Sequence, residues 1–340
     1  MADVSPARIM QIASGHWPAR TLQVAVKLGL FTVLSKGGMT AGQIRVALGL
    51  HPRAVPDFPD ALVALKLLER DGEGAAAVYR NTAETATFVD RASPAYMGGI
   101  IEMSHDRLYP FWGDLIEALR TGEPQNELKR TGKSLFDQLY TDPARLEQFL
   151  AAMSGASTGN FIALAGRFDF SRYQALCDVG GAEGMLSMMV ARAHPHLRCV
   201  SADLPVVEPI ARRKIAALGF ADRVATAAVD FLKDDLPRAD VITMGMVLHD
   251  WNLAVKKMLV AKAYAALPPG GAFIVVEQLI DDARRENVLG LMMSLNMLVE
   301  TGDGFDYTFR DFSGWCGEAG FSRCEVLPLA GTASAAIAYK

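Results

Sequence analysis

The stretch "DVGGAEG", Asp178 to Gly184, lies between a predicted strand, "QALCDVGG", and a predicted helix, "EGMLSMMVARAH". Glycines at such a junction let the backbone approach a ligand closely, and the helix N-terminus favours an acceptor or an anion. Asp203 ends the next predicted strand, about twenty residues after Gly184. A carboxylate there can accept hydrogen bonds from both hydroxyls of an adenosine ribose. The stretch therefore predicts a strand–loop–helix unit that binds an adenosine-containing cofactor.

Strands and helices alternate through the rest of this half of the chain. From about Tyr173 the predicted strands are "QALCDVGG", "LRCVSADL", "RVATAAVDF", "DVITMGMVL" and "AFIVVEQLI". The helices between them are "EGMLSMMVARAH", "VVEPIARRKIAALG" and "LAVKKMLVAKAYAAL", and "CEVLPLA" and "SAAIAYK" close the chain as a hairpin. This alternation predicts an α/β domain with a doubly wound, mainly parallel sheet.

The glycine loop alone suits both dinucleotides and S-adenosylmethionine. The dinucleotide pattern G-x-G-x-x-G, started at Gly180, requires glycine at Ala182 and fails there. A second acidic point, Asp230 followed by Phe231, comes after the third strand and suits the amino group and the face of an adenine, although Asp230 could equally be a turn or cap residue. Together these points favour S-adenosylmethionine.

The first 95 residues predict a small winged-helix domain. Three helices, "TLQVAVKLGLFTVLSK", "AGQIRVALGL" with Thr40 as its cap, and "PDFPDALVALKLLER", precede two β-like segments within "YRNTAETATFV". Winged helices often read DNA, but the net charge is −4 and the third helix has an apolar body. Its charged residues are Asp57, Asp60, Lys66, Glu69 and Arg70. We therefore expect packing against protein and no nucleic-acid partner.

The whole chain of 340 residues predicts three regions: 1–95, a helical stretch 96–170 with breaks at Pro110, "TGEP" and Pro143, and the α/β domain 171–340. Its four cysteines have no metal-ligand spacing, which predicts reduced core cysteines of a cytoplasmic protein and no metal site. The first twenty residues lack the apolar core of a signal peptide. No apolar run reaches the roughly 18 residues of a membrane helix, so we expect no membrane partner.

The stretch "VITMGMVLHDWN", Val241 to Asn252, ends a buried strand in His249-Asp250-Trp251. One interpretation is helix capping by Asp250 or Asn252, with Trp251 as a packing anchor. The other is that His249 is a general base, because ligands of open α/β sheets bind at the carboxyl ends of the strands. Glu277 ends the adjacent strand at the same edge and could hold the second imidazole nitrogen, with Asp306 as another candidate. The second interpretation fits the cofactor loop better.

An ordered set of motifs carries a family resemblance over nearly the whole length. It comprises the winged-helix region, "DVGGAEG", "ADLP", "VDF", "VLHDW", "LPPGGAFIVVE" and "DYTFRDFSGWCGEAGF". The chain resembles the small-molecule O-methyltransferases of the plant caffeic acid and acetylserotonin type and their bacterial natural-product relatives. The resemblance implies a Rossmann-like class I methyltransferase sheet behind an N-terminal winged-helix dimerisation domain, and a homodimer.

The resemblance also implies site residues. His249 maps to the general base, flanked by Glu277 and Asp306. The implied S-adenosylmethionine contacts are Asp178, Gly180, Gly181, Gly184, Asp203, Leu204, Asp230, Phe231 and a loop around Met244 and Gly245. The implied contacts with a small aromatic acceptor are Phe149, Met153, Met246, Asp250, Met297 and Thr301. The implied reaction moves a methyl group to a phenolic hydroxyl and leaves S-adenosylhomocysteine. Alternatives are carbon or nitrogen methylation on the same fold, or cofactor binding without transfer.

Several positions depart from the family pattern. Gly245 stands where plant members commonly have lysine, and Met246 replaces an aromatic residue. Ala182-Glu183 replaces the frequent Gly-Thr or Gly-Ser, and Asp306 is one methylene shorter than the usual glutamate. The identity of the acceptor therefore does not carry over.

Overall fold

The computed structural model describes residues 4–133 and 135–340, so the first three residues of the predicted N-terminal region lie outside it. The chain divides into two compact units, one ending at Pro110 and the other beginning at Phe111. The boundaries near residues 95 and 170 remain predictions.

The first unit combines short helices with a small antiparallel sheet. Its elements are α1 (Ala7–Ala13), α2 (His16–Lys27), α3 (Leu30–Leu34), β1 (Met39–Thr40), α4 (Ala41–Leu48), α5 (Asp57–Ala64), β2 (Leu68–Asp71), β3 (Val78–Asn81), α6 (Ala83–Phe88) and α7 (Gly98–Met103). The sheet order is β1-β3-β2. As predicted, Thr40 caps α4, in a reciprocal capping box with Gln43, and the helix ends at Gly49 in the left-handed conformation.

Three details of this unit differ from the sequence prediction. The first predicted helix is two helices, because Gly29 adopts a φ of 75° between α2 and α3. The predicted third helix ends at Ala64. The end of its "LLER" tail belongs to the strand Leu68–Asp71, which pairs with Val78–Asn81. The end of "YRNTAETATFV" is the helix α6, capped by the Thr82 hydroxyl, and not a second strand. The wing is therefore the β2–β3 hairpin.

The stretch that follows is helical, as predicted. It contains α8 (Tyr109–Trp112), α9 (Leu115–Thr121), α10 (Glu127–Thr131), α11 (Leu135–Leu139) and α12 (Pro143–Arg167). Pro143 is the first residue of α12, which is capped by Asp142. Helix α9 ends at Thr121, the first residue of "TGEP". The predicted break at Pro110 is wrong, because Pro110 lies inside α8 directly after a π-helical turn, Ser104–Leu108, in which the regular hydrogen-bond ladder is already interrupted.

The long helix α12 is the one described helix that is long and apolar enough, by length and composition alone, to cross a membrane. Its residues Phe161, Leu164 and Ala165 are nevertheless buried in a core that they share with strands of the second unit's sheet. Seven of its 25 residues are buried, so one stripe of this helix packs against the core.

The second unit is built on a seven-stranded sheet. Its strands are β4 (Ala175–Val179), β5 (Arg198–Asp203), β6 (Val224–Ala228), β7 (Val241–Gly245), β8 (Ala272–Glu277), β9 (Arg323–Pro328) and β10 (Ser334–Tyr339), in the order β6-β5-β4-β7-β8-β10-β9. The first five of these strands in spatial order are parallel, and β10 joins β8 and β9 antiparallel. The predicted doubly wound sheet and terminal hairpin are confirmed.

Helices cover both faces of this sheet: α13 (Met185–Ala193), α14 (Glu208–Ala217), α15 (Leu253–Ala266) and α17 (Phe309–Ala319). The remaining helix, α16 (Val288–Glu300), contacts α9 and the 3₁₀ turn Leu248–Asp250. One apolar core includes residues of α12, α13 and α14, and another includes residues of α15 and α17. The strand order reverses between β4 and β7, the position where open α/β sheets bind ligands beyond the strand ends. Asp203, Gly245 and Glu277 end their strands at that edge.

The predicted helix cap after His249 is Asn252 and not Asp250. The Asn252 side chain accepts the Val255 N–H at 3.0 Å, while His249 and Asp250 lie in a preceding 3₁₀ turn, Leu248–Asp250. Asp250 is therefore free of the capping role.

We predict that Asn252→Ala destabilises the second unit by about 1 kcal/mol, the usual cost of losing an N-cap side chain. Asn252→Ser, which keeps a capping oxygen, should lie close to wild type. Urea unfolding followed by circular dichroism measures both variants, and equal losses for the two would contradict the assignment of the cap.

Candidate active site

The glycine loop after β4 has a shape that only glycine allows. Gly180 and Gly184 have φ values of 71° and 80°. A Cβ on Gly180 would lie 2.7 Å from Val247, and one on Gly184 would lie 2.8 Å from Ile215. A Cβ on Gly181 would lie 2.3 Å from the Ser201 hydroxyl, which is buried and has no hydrogen-bond partner among the described residues. The loop is a backbone cradle with an unsatisfied polar group beside it.

Asp203 lies where β5 ends and faces this loop. One carboxylate oxygen accepts the Ala182 N–H at 2.9 Å, and the other accepts the Leu204 N–H at 2.7 Å. Burial raises the pKa of Asp203, and the two backbone N–H groups oppose that rise. Each carboxylate oxygen has a second lone pair, so the group can still accept hydroxyl donors. Ala182 itself has a φ of 48°, a left-handed conformation that is strained for a residue with a Cβ.

Asp178 supports the loop from below. It is 3% exposed, accepts the Thr243 hydroxyl at 2.7 Å, and has its pKa raised to about 7 by burial. The Thr243 hydrogen bond opposes that rise. Asp178 therefore joins β4 to β7 directly under the cradle.

Asp230 and Phe231 form another side of this region. Asp230 belongs to a turn, in which it accepts the Leu232 N–H and pairs with Lys233 at 2.7 Å, and the Lys233 hydrogen bond lowers its pKa. Half-buried Phe231 meets Trp251 edge to face, with centroids 5.9 Å apart. Its ring lies 3.9 Å from where a Cβ on Gly180 would be. The turn interpretation of Asp230 is thus present in the structure, and Phe231 reaches the cradle.

These residues fit S-adenosylmethionine. The cradle gives close backbone approach, the Asp203 carboxylate can accept ribose hydroxyls, and Phe231 offers an aromatic ring beside the loop. Leu204 and Ala182 pack with Phe149 in one small apolar cluster on the other side.

His249 lies in a buried cluster of carboxylates. The side chain is 6% exposed, the ring Nδ1 is 3.4 Å from Asp306 Oδ1, and the ring Nε2 is 3.5 Å from Asp250 Oδ1. Both distances are longer than a strong hydrogen bond. The sequence suggested that Glu277 holds the imidazole, and this is wrong. Its Oε1 instead accepts the His249 backbone N–H at 3.1 Å. Asp306 and Asp250 are therefore the carboxylates that face the ring.

The carboxylates determine the proton affinity of His249. Burial lowers the pKa of the ring, but the negative charges of Asp250, Asp306 and Glu277 outweigh burial and raise it to about 9. Burial in turn raises the pKa values of Asp250 and Glu277, while the His249 charge lowers them. The cluster therefore stabilises a protonated imidazole.

Asp306 is set in place by its own backbone. Its N–H donates to the Ser294 hydroxyl at 3.2 Å, and two residues later Thr308 caps α17 and forms a parallel bridge with Ile280. The Asp306 carboxylate is 2% exposed, and neither oxygen has a hydrogen-bond partner within residues 4–133 and 135–340. A buried carboxylate with spare acceptors marks a site that can receive a hydrogen-bond donor.

The residues predicted to touch the acceptor differ in their surroundings. Met297 is 6% exposed, and Met153 is half-buried. The Thr301 hydroxyl donates to the Met297 carbonyl and accepts the Gly304 N–H, both at 2.8 Å, so it shapes the end of α16. Asp250 keeps 29% of its side chain exposed.

The strand end before His249 has two unusual features. Met244 and Gly245 are the last residues of β7 and not a loop, and Met244 is fully buried in the core. Met246 has a φ of 55°, a strained conformation for a residue with a side chain. A Cβ on Gly245 would lie 3.2 Å from the Phe161 ring, so this ring lies directly against position 245.

Three residues that complete the cluster escaped the sequence analysis: Ser294, Gly304 and Lys256. A Cβ on Gly304 would lie 2.7 Å from the carbonyl oxygens of both His249 and Asp250, so this glycine lets the 301–304 turn pass over them. Lys256 is fully buried in α15. Only Gly304 had a usable signal, its place in the glycine-rich "TGDGFD" just before Asp306.

Comparisons with known proteins identify the family of this chain. An O-methyltransferase domain model matches residues 112–322, and an O-methyltransferase dimerisation domain model matches residues 10–91. The chain is 40% identical to the tetracenomycin polyketide synthesis 8-O-methyltransferase of Streptomyces glaucescens, over 98% of this chain and 97% of that one. It is 36% identical to an N,N-dimethyltransferase of Streptomyces rimosus, over 94% and 92%.

Among solved structures, human N-acetylserotonin methyltransferase in complex with S-adenosylmethionine superposes with a TM-score of 0.91, at 27% identity and with 100% and 99% of the two chains covered. The predicted fold, cofactor and enzyme class are thereby confirmed. The chain belongs to the S-adenosylmethionine-dependent O-methyltransferase family.

Proposed function

We propose that this enzyme transfers the methyl group of S-adenosylmethionine to a phenolic hydroxyl of a small aromatic natural product, with His249 as the general base. The observation that carries this proposal is the buried imidazole between two carboxylates, at the same sheet edge as the glycine cradle. Glu277, which fixes the backbone of that imidazole, has the role of a positioning residue.

The cofactor supplies a methyl group bonded to a positively charged sulfur. Gly180, Gly181 and Gly184 would hold it through their backbone, and Asp203 would bind its ribose. Phe231 and Leu204 would pack against its adenosine part. Asp178 supports the conformation of the glycine loop. Met244 and Gly245 would contact the cofactor, if at all, through their backbone at the end of β7.

The work of His249 is to take the acceptor's proton as the oxygen–carbon bond forms and the carbon–sulfur bond breaks. A phenol has a pKa of about 10, by analogy with tyrosine, so an imidazole whose pKa is raised toward that value is a well-matched acceptor. Asp306 and Asp250 stabilise the imidazolium that results. The proton then leaves to solvent, and the products are the methyl ether and S-adenosylhomocysteine.

The acceptor is proposed to be an aromatic ring system with a free hydroxyl. The 8-O-methyltransferase relative of polyketide synthesis supports this choice. Phe149, Met153, Met246, Met297 and Thr301 are the proposed acceptor contacts, with Asp250 as the polar one. The N,N-dimethyltransferase relative makes an amine the second candidate.

The enzyme is proposed to act as a cytoplasmic homodimer. The dimerisation domain match supports the dimer, as does α1, which has no buried residue and exposes Ile9, Met10 and Ile12 to 71%, 61% and 70%. Apolar side chains at that exposure fit burial by a second copy of the chain. The four free cysteines fit a reducing compartment.

We expect light scattering of the purified protein at micromolar concentration to give the mass of two chains of 36.7 kDa. Replacing Ile9 and Ile12 together by lysine should shift the population toward single chains, because two charges would enter an apolar contact. A wild-type monomer would contradict the proposal.

The reaction is tested by incubating the protein with S-adenosylmethionine and matched pairs of hydroxylated and aminated naphthalenes, followed by mass and NMR analysis of the product. We expect one added methyl on oxygen. Methylation of the amines alone would establish the second candidate, and cofactor binding without any methylation would exclude both.

Two variants separate binding from chemistry. His249→Ala should keep the affinity for S-adenosylmethionine measured by calorimetry and lose about 10²–10⁴ of the turnover rate, which is the usual contribution of a general base. Asp203→Ala should show the reverse, with weakened cofactor binding. Loss of cofactor affinity in His249→Ala would contradict the assigned role.

The pH dependence gives a further prediction. His249 must be neutral to act as a base, so kcat/KM should rise with pH up to about 9, where the ring loses its proton. Asp306→Asn removes one of the charges that raise this pKa, so the rise should move to lower pH by about one unit. Asp282→Asn, an exposed carboxylate paired with Arg310, is the control and should leave the profile unchanged. An unmoved profile in Asp306→Asn would exclude its action on His249.

A further inference from the structure

Lys256 is a lysine in an unfavourable place. Its side chain is fully buried, and it lies in the first turns of α15, where the helix dipole is positive and disfavours a cation. Buried lysines are rare unless they are paired. A compensating interaction must therefore hold this ammonium.

The ammonium contacts two separate segments of the site. Nζ donates a hydrogen bond to the carbonyl of Trp251, the residue directly after His249 and Asp250. Nζ also lies 3.9 Å from the centre of the Phe305 ring and 5.7 Å from that of Tyr307. Phe305 and Tyr307 are the residues on either side of Asp306. One side chain thus joins the turn that carries His249 to the loop that carries Asp306.

Without Lys256, the carboxylates around its position would outnumber the positive charges. Four carboxylates act on the ammonium: Glu277 from β8, Asp250 from the 3₁₀ turn, and Asp306 and Asp303 from the loop after α16. The other cation in this cluster is His249. Burial lowers the pKa of Lys256 to about 8, and these carboxylates oppose the fall, so the group is mostly charged at neutral pH.

We propose that Lys256 is a positioning residue of the methyl transfer: it clamps the His249 turn to the Asp306 loop and offsets the carboxylates that surround the imidazole. Within the described residues no hydrogen bond or ion pair joins Lys256 to His249, so we expect its effect to pass through Trp251 and the carboxylates. The functional part of this inference rests on the proposed role of His249 as base, whereas the clamp and the charge balance do not.

The test uses three variants of the full-length enzyme. Lys256→Met removes the charge and the hydrogen bond with a similar stem length, and Lys256→Gln removes the charge but keeps a donor. Lys257→Met is the matched control, because Lys257 is the next residue on α15, is 39% exposed and pairs with Glu318. Thermal unfolding and calorimetry with S-adenosylmethionine establish that each variant is folded and binds cofactor like the wild type.

The first readout is the pKa of the His249 ring, followed by NMR in protein with labelled histidine. The chain has six histidines, and the spectrum of His249→Asn assigns the signal. Loss of a positive charge near the carboxylates should raise the pKa of His249 by about one unit in both Lys256 variants and leave it unchanged in Lys257→Met. A pKa equal to wild type in Lys256→Met and Lys256→Gln would overturn the charge balance.

The second readout is the steady-state rate with a methylated acceptor. Lys256→Met should lose about tenfold or more in kcat, because His249 and Asp306 are no longer held together, and should change the KM for S-adenosylmethionine little. Lys256→Gln should lose less, since it can still bond the Trp251 carbonyl. Equal kcat in the wild type and Lys256→Met would overturn the clamp.

The two readouts separate the two hypotheses. A raised pKa of His249 in a protein whose wild type methylates no acceptor would support the charge balance and exclude the proposed reaction. Methylation that depends on His249, with neither the pKa nor kcat sensitive to Lys256, would support the reaction and exclude this inference. If Lys256→Met does not fold, Lys256→Gln decides the charge balance by the pKa and the clamp by whether its kcat falls below that of Lys257→Met.

Discussion

The hydrogen bond between the His249 backbone N–H and the buried Glu277 carboxylate holds the site together. β7 and β8 pair in parallel, and their ladder continues past the strand end through the Met246 N–H and the Val276 carbonyl. The Glu277 side chain adds one further hydrogen bond after this ladder and thereby fixes the position of the turn that carries the imidazole. The distances from His249 to Asp250 and Asp306, and the position of the Trp251 carbonyl that binds Lys256, all depend on where that turn lies.

The sequence was most informative where local pattern and tertiary context agree. The alternation of strands and helices predicted the order of elements in the second unit, because the apolar pattern of each strand and helix can be recognised locally. It failed at "LLER" and "ATFV". The helical pattern of "LLER" is overridden by pairing with Val78–Asn81, and "ATFV" became a helix because Thr82 provides a cap. Both outcomes depend on competition that periodicity does not measure.

Most residues of the candidate site could be predicted from the sequence, but the contacts between them could not. Strand-end placement brought His249, Glu277 and Asp203 to one edge of the sheet, as the topology requires. Which atom of His249 meets Glu277 depends on a backbone turn that no motif encodes. Lys256 was hidden because a lysine in an exposed-looking helix pattern gives no sign of burial; its surroundings come from residues about fifty positions later.

The contact between Phe161 and Gly245 has a consequence for how this enzyme can diverge from its relatives. A side chain at 245 would need the space beside the Phe161 ring, 3.2 Å from its first carbon. A larger residue at 245 therefore requires the Phe161 ring to move by a few tenths of an ångström. The two positions are thus coupled: the space open to a side chain at 245 depends on which residue stands at 161.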